Sequence, residues 1–208
     1  MPTISLMSFL KILTKGSPQK AQEYGKYLKP GGYQFYWMLK ESAQSMTVGG
    51  KPYADCLKPI QKVTGRDVER ECNIAALKAL NGWTKKYKPD SYFAAPAGAC
   101  TTPGGYLTVK LEPEFGIVKN GQKRIVQLWY SKGTPLAKHS VILGNHLIQK
   151  HLCIGEFADC KAGILDLRKK ELMLVDRGSP QVMDMMISSE FAWVDSFFKA
   201  QEAATKAA

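Results

Sequence analysis

The sequence predicts an α+β protein with N-terminal helices, a central sheet that contains a β-hairpin, flanking helices and a C-terminal helix. Three observations lead there. A helical-period apolar stripe runs from about Arg66 to Trp83, and after Gly105 the apolar period changes to alternation. Between two alternating runs sits Asn120-Gly121, a pair that favours a two-residue type I′ turn.

The elements follow in chain order. Ile4, Leu6, Met7, Phe9, Leu10, Ile12 and Leu13, interrupted by Lys11, predict an amphipathic helix over Met1–Leu13 packed on the body. No basic stretch precedes it and no small-residue cleavage site follows, so a signal peptide is not expected. Pro30-Gly31-Gly32 and Gly49-Gly50 bracket a helix from Tyr33 to Met46, with Gly49 as its stop. In the helix from Arg66, Val68, Cys72, Ala75, Ala76, Ala79, Leu80 and Trp83 form the stripe. Asp67, Glu69 and Glu71 suit its positive end, Thr64 suits its N-cap, and Arg70, Lys78, Lys85 and Lys86 lie near its polar face.

A loop rich in Gly and Pro fills 96–105, without the sequence or the strand-to-helix setting of a phosphate-binding loop. Leu107, Val109, Leu111, Phe115 and Ile117 then alternate with polar residues, and the returning strand runs from Lys123 to Ser131. Thr134 and Pro135 suit the start of a helix that reaches about Leu152. Strands at Gly163–Leu167 and Glu171–Val175 are joined by Arg168-Lys169-Lys170, and a final helix from Ser188 or Ser189 buries Phe191, Val194 and Phe198. This divides the chain into a basic helical part, 1–90, and an α+β part, 91–208, which together make one compact unit.

Composition narrows the classes of function. No apolar stretch approaches the roughly 20 residues that cross a bilayer, so no membrane partner is expected. Five cysteines, an odd number at irregular spacing, point to free thiols in a reducing cytoplasm. His146, His151, Cys153 and Cys160 are too loosely spaced for a zinc site and read as helix-end and loop residues. The net charge is +11, and residues 1–104 hold fifteen Lys or Arg against seven Asp or Glu. A basic N-terminal half attracts polyanions, so DNA or RNA is the expected partner. The lysines are spread out, however, and a protein-interaction or adaptor domain with a basic surface is the alternative. Tyr33, Phe35, Tyr36 and Trp37 could stack bases, although their helical setting favours core packing.

A two-residue loop fixes the hairpin register. Lys119 faces Gln122, Gly116 faces Ile125, Glu114 faces Gln127, Glu112 faces Trp129 and Lys110 faces Ser131. Lys110, Glu112, Glu114 and Gln127 then share one face, while Val109, Leu111, Phe115, Val126 and Leu128 form the core face. Pro113 requires an edge position or a bulge.

The order helix, hairpin, helix, strand from Arg66 to Leu167 resembles the core of the restriction-endonuclease-like PD-(D/E)XK superfamily. The resemblance implies an acidic residue on one hairpin strand and an acid-x-Lys trio on the next, which hold a divalent metal and activate water against a phosphodiester. Glu112 or Glu114 matches the first acid, whereas Gln127-Leu128-Trp129 stands where acid-x-Lys is expected, with Lys110 or Lys132 as substitute cations. The expected catalytic set is therefore Glu112, Glu114, Gln127 and Lys110, with Glu112 and Glu114 as metal ligands. The leading reading is a nucleic-acid-associated protein on a degenerate nuclease-like core. No cofactor is expected on that reading; magnesium or manganese enters only if the protein is a working metal-dependent nuclease.

Overall fold

The computed structural model describes residues 1–28, 35–131, 133–174 and 179–207, with side chains to 204. Pro30-Gly31-Gly32, Tyr33, Lys132 and Val175 lie outside the described residues.

A short strand β1 (Thr3–Ser5) leads into α1 (Leu6–Leu13), where a single helix from Met1 was expected. The Ser5 hydroxyl caps α1 by accepting the Ser8 N–H. Then come α2 (Ser17–Gly25), α3 (Trp37–Thr47), α4 (Tyr53–Gln61) and α5 (Asp67–Tyr87). Strands β2 (Ser91–Phe93), β3 (Gly98–Thr101), β4 (Thr108–Leu111), β5 (Phe115–Lys119) and β6 (Gln122–Trp129) follow. Helix α6 (Lys138–Leu152), strands β7 (Lys161–Asp166) and β8 (Glu171–Met173), and helix α7 (Pro180–Ala207) complete the α+β fold.

Several boundaries differ from expectation for local reasons. Helix α5 is entered through Arg66 with no side-chain cap, so Thr64 does not play that part, and it runs past Trp83 until Lys88 turns left-handed. Helix α6 starts from Ala137 rather than Thr134. Helix α7 begins eight residues before Ser188, with Pro180 supplying a ready-made first-turn φ. Gly49 does end α3: its N–H reaches Gln44 O, and a Cβ there would lie 2.7 Å from Ser45 O.

Two sheets result. The larger has the order β2-β5-β6-β7-β8, with β6 and β7 parallel across α6 and the other pairs antiparallel. The smaller, β1-β4-β3, pairs β1 with β4 in parallel and so stitches the first residues of the basic part into the α+β part.

The larger sheet is covered on both faces. Leu39, Ile60, Leu77, Leu80 and Trp83 of α3, α4 and α5 pack on Phe115, Val126, Leu128 and Leu165. Phe9, Leu10, Leu147 and Ile148 of α1 and α6, with Phe191, Val194 and Phe198 of α7, lie against Ile125, Trp129 and Ile164.

The hairpin turn is as expected. Asn120 and Gly121 take φ of 51° and 74°, and Lys119 pairs with Gln122 and Gly116 with Ile125. Val109, Leu111, Phe115, Val126 and Leu128 are all fully buried.

Beyond Phe115 the register is corrected. The ladder stops at Phe115–Val126, and the chain crosses through Glu112-Pro113-Glu114 into the smaller sheet. Glu112 therefore does not face Trp129, whose parallel ladder partner on β7 is Asp166, and Lys110 pairs with Ser5 and Ala99 rather than Ser131. Proline cannot donate to a ladder, so the strand breaks where Pro113 stands. The N–H of Glu114 reaches Val126 O at 3.2 Å, so two residues oppose one, as in a β-bulge.

Candidate functional site

The break at Pro113 creates a polar pocket inside an apolar layer. Past the end of the β5–β6 ladder, the Leu128 N–H has no strand partner on that side and donates to Glu114 Oε2 at 2.7 Å. Gln127 Nε2 donates to the same carboxylate at 3.0 and 3.3 Å. Glu114 is 1% exposed. Burial pushes its carboxyl up to about 7, against the opposing pull of the Leu128 N–H and of Lys40.

Lys40 comes from α3, which α5 holds in place: Asn73 Oδ1 accepts the Leu39 N–H, and Asn73 Nδ2 donates to Phe35 O and Glu69 O. The Lys40 ammonium meets Glu112 Oε2 at 2.6 Å and holds that carboxyl below its usual range, with a smaller contribution from Lys110. Tyr130 completes the group. Burial, then the nearby Glu114, Tyr36 and Glu112, drive its phenol far upward, and its ring lies 4.4 Å from that of Tyr36.

Of the expected set, the structure brings Glu114 and Gln127 into direct contact and joins Glu112 to them through the field of Lys40. Lys110 stands apart, exposed on β4 in the other sheet, and reaches Glu112 only through space. Lys40 and Tyr130 were not anticipated as site residues, and Tyr36 was named only among the aromatics that could stack bases. The one signal for Lys40 was its place beside Leu39 on the apolar stripe of α3, which says where the helix packs but not what the next residue meets.

The donor set does not fit a divalent cation. Both oxygens of Glu114 already accept N–H groups, Gln127 turns its NH2 toward that carboxylate, and Glu112 is neutralised by Lys40. An oxygen shell for magnesium needs free carboxylate lone pairs. Asp166 is also engaged, since its Oδ1 accepts the Arg168 and Lys169 N–H groups and shapes the β7–β8 turn.

Among the described residues, no His, Cys, Asp or Glu cluster could hold a metal. His146 meets Asp184 at 2.8 Å, and burial pushes the Cys153 thiol up to about 11. Among the described residues no helix is long and apolar enough to cross a membrane. Compared with known proteins, the chain matches no family model and no curated protein sequence.

Proposed function

We propose that this protein binds nucleic acid on a nuclease-like α+β core whose hydrolytic centre is degenerate. The reading is carried by one observation. Where the resemblance would put a metal-holding acid and an acid-x-Lys trio, Glu114 is buried, pushed by that burial toward its neutral form and hydrogen-bonded by Gln127, and no lysine replaces Trp129 on that strand. The element order behind the resemblance is present as α5, the β5–β6 hairpin, α6 and β7.

Binding would use a basic surface. Lys78, Lys85 and Lys86 of α5 are exposed, and Lys170 Nζ lies 3.6 Å from where a Cβ of Gly82 would stand. The exposed Arg168-Lys169-Lys170 turn thus joins the lysines of α5 in one field. A cytoplasmic setting is consistent with the five free thiols.

The test is fluorescence anisotropy with labelled single- and double-stranded DNA and RNA over a salt series. Affinity should fall linearly on a log–log plot, with a slope shallower by about 0.7–0.9 for each phosphate-contacting lysine removed among Lys85, Lys86 and Lys169. Incubation with manganese should give no cleavage beyond a chelator control. Absence of binding at low salt would favour an adaptor role. Manganese-dependent cleavage lost in Glu114→Ala would restore the nuclease reading.

A further inference from the structure

Between α5 and the ends of β6 and β7 lies a cleft of about 490 Å³, within the size range of small-molecule sites. Its wall is the small-residue face of α5, Ala75, Ala76 and Ala79, and the half-buried rings of Tyr36 and Tyr130 stand at its side. Lys170 and Arg168 enter from the β7–β8 turn, and Glu71 from α5. Neither Lys170 nor Glu71 has an ion-pair partner among the described residues. The backbone turn that leads to Lys170 is held by Asp166.

We propose that this cleft binds a single nucleotide unit, as the free nucleoside monophosphate or as the terminal residue of a strand. This rests on the nucleic-acid reading above and names the subsite that reading lacks.

Three chemistries in the cleft ask for three groups on one ligand. A smooth alanine wall beside two aromatic rings suits a flat heteroaromatic ring, which stacks on tyrosine whatever its sequence identity. Lys170, with Arg168 beside it, suits a phosphate. The Glu71 carboxylate suits a hydrogen-bond donor such as a sugar hydroxyl or an exocyclic amine. An apolar ligand would use the alanine wall but leave the exposed Lys170 and Glu71 charges unmatched at the rim. A bare anion would face Glu71 and leave the alanine wall unused. A nucleotide satisfies all three groups.

The cleft also explains the placement of Tyr130. Tyr130 feels Glu114 and Glu112 and also lines the cleft, so a bound nucleotide would lie next to the degenerate centre.

The experiment is isothermal titration of the intact protein with the four nucleoside 5′-monophosphates, the matching nucleosides and inorganic phosphate. At least one nucleotide should bind ten-fold or more tightly than its nucleoside and than phosphate. Ala75→Leu, which fills the cleft from an exposed helical position, and Lys170→Ala should each weaken it at least ten-fold while circular dichroism stays unchanged. Ala75→Ser should retain binding. No nucleotide binding at millimolar concentration overturns the inference, as does binding indifferent to Ala75→Leu and Lys170→Ala. Equal affinity for inorganic phosphate would do the same. Salt-dependent binding of long polynucleotides without mononucleotide binding would overturn this site alone. Mononucleotide binding without polynucleotide binding would overturn the wider reading and keep the site.

Discussion

The backbone N–H of Leu128 donates to the side chain of Glu114 at 2.7 Å, in the place where a continuous β5 would have offered a carbonyl. A buried amide without an acceptor costs about 1–3 kcal/mol, so the carboxylate offsets the break that Pro113 introduces. The same contact makes stability depend on the charge of Glu114.

Because burial raises the folded-state carboxyl from 4.5 to about 7, the folded protein favours the protonated form. The stability this contributes is fully present below the unfolded value near 4.5 and is lost as pH rises through 7. Glu114→Gln mimics the protonated group and should flatten that dependence. The unfolding free energies of the two proteins should diverge by up to about 3 kcal/mol between pH 4.5 and 7, the variant gaining as pH rises. Denaturant melts at half-unit pH intervals measure this. Parallel curves would show that Glu114 does not titrate in that window.

Lys40→Met removes the cation that both carboxylates feel. Glu112 and Glu114 should each titrate at higher pH than in the parent, as read from carboxyl carbon shifts by NMR. Lys40 and Glu112 both retain solvent contact, so the stability lost should stay below about 1 kcal/mol.

At Gly116 the ring of Phe93, its cross-strand partner on β2, occupies the space of a side chain. A Cβ there would stand 2.1 Å from the ring. Gly116→Ala should destabilise by about 1–3 kcal/mol through overpacking. Adding Phe93→Leu should recover part of that loss, and the double-mutant cycle should show a coupling well away from zero.

In the turn, Gly121→Val places a β-branched residue at φ 74°. Loss of about 1 kcal/mol or more is expected in the denaturation midpoint.

What could be read from the sequence was local. Asn120-Gly121 declares its own backbone geometry and emerged at the right residues, whereas the buried face of α5 is rotated from the expected stripe: Ala76, Leu80 and Trp83 are buried as expected, but Val68 and Ala75 are exposed, and Glu69, Asn73 and Leu77 are buried instead. Which sheet the strand through Leu107–Ile117 belongs to was not local. Val109 and Phe115 both looked like core residues of one hairpin, and both are buried, but they stand on strands of two different sheets and in two different core clusters. Pro113 signalled a disruption without saying where the chain goes next. The three-residue strands β1 and β2 are too short to show a period, and their partners Val109 and Ile117 lie far along the chain. Lys40 met Glu112 only through the docking of α3 on α5, a contact across 72 residues that no motif carries.

The parallel pairing of Thr3 with Thr108 sets an order of events during synthesis. As the chain leaves the ribosome, β1 has no strand to join until β4 has emerged about a hundred residues later. Phe9 and Leu10 wait longer still, for α6 and α7, which follow β4 in the chain. Elements β1 and α1 are thus made well before the partners they pack on, and that interval is when this chain has most need of a chaperone's shelter.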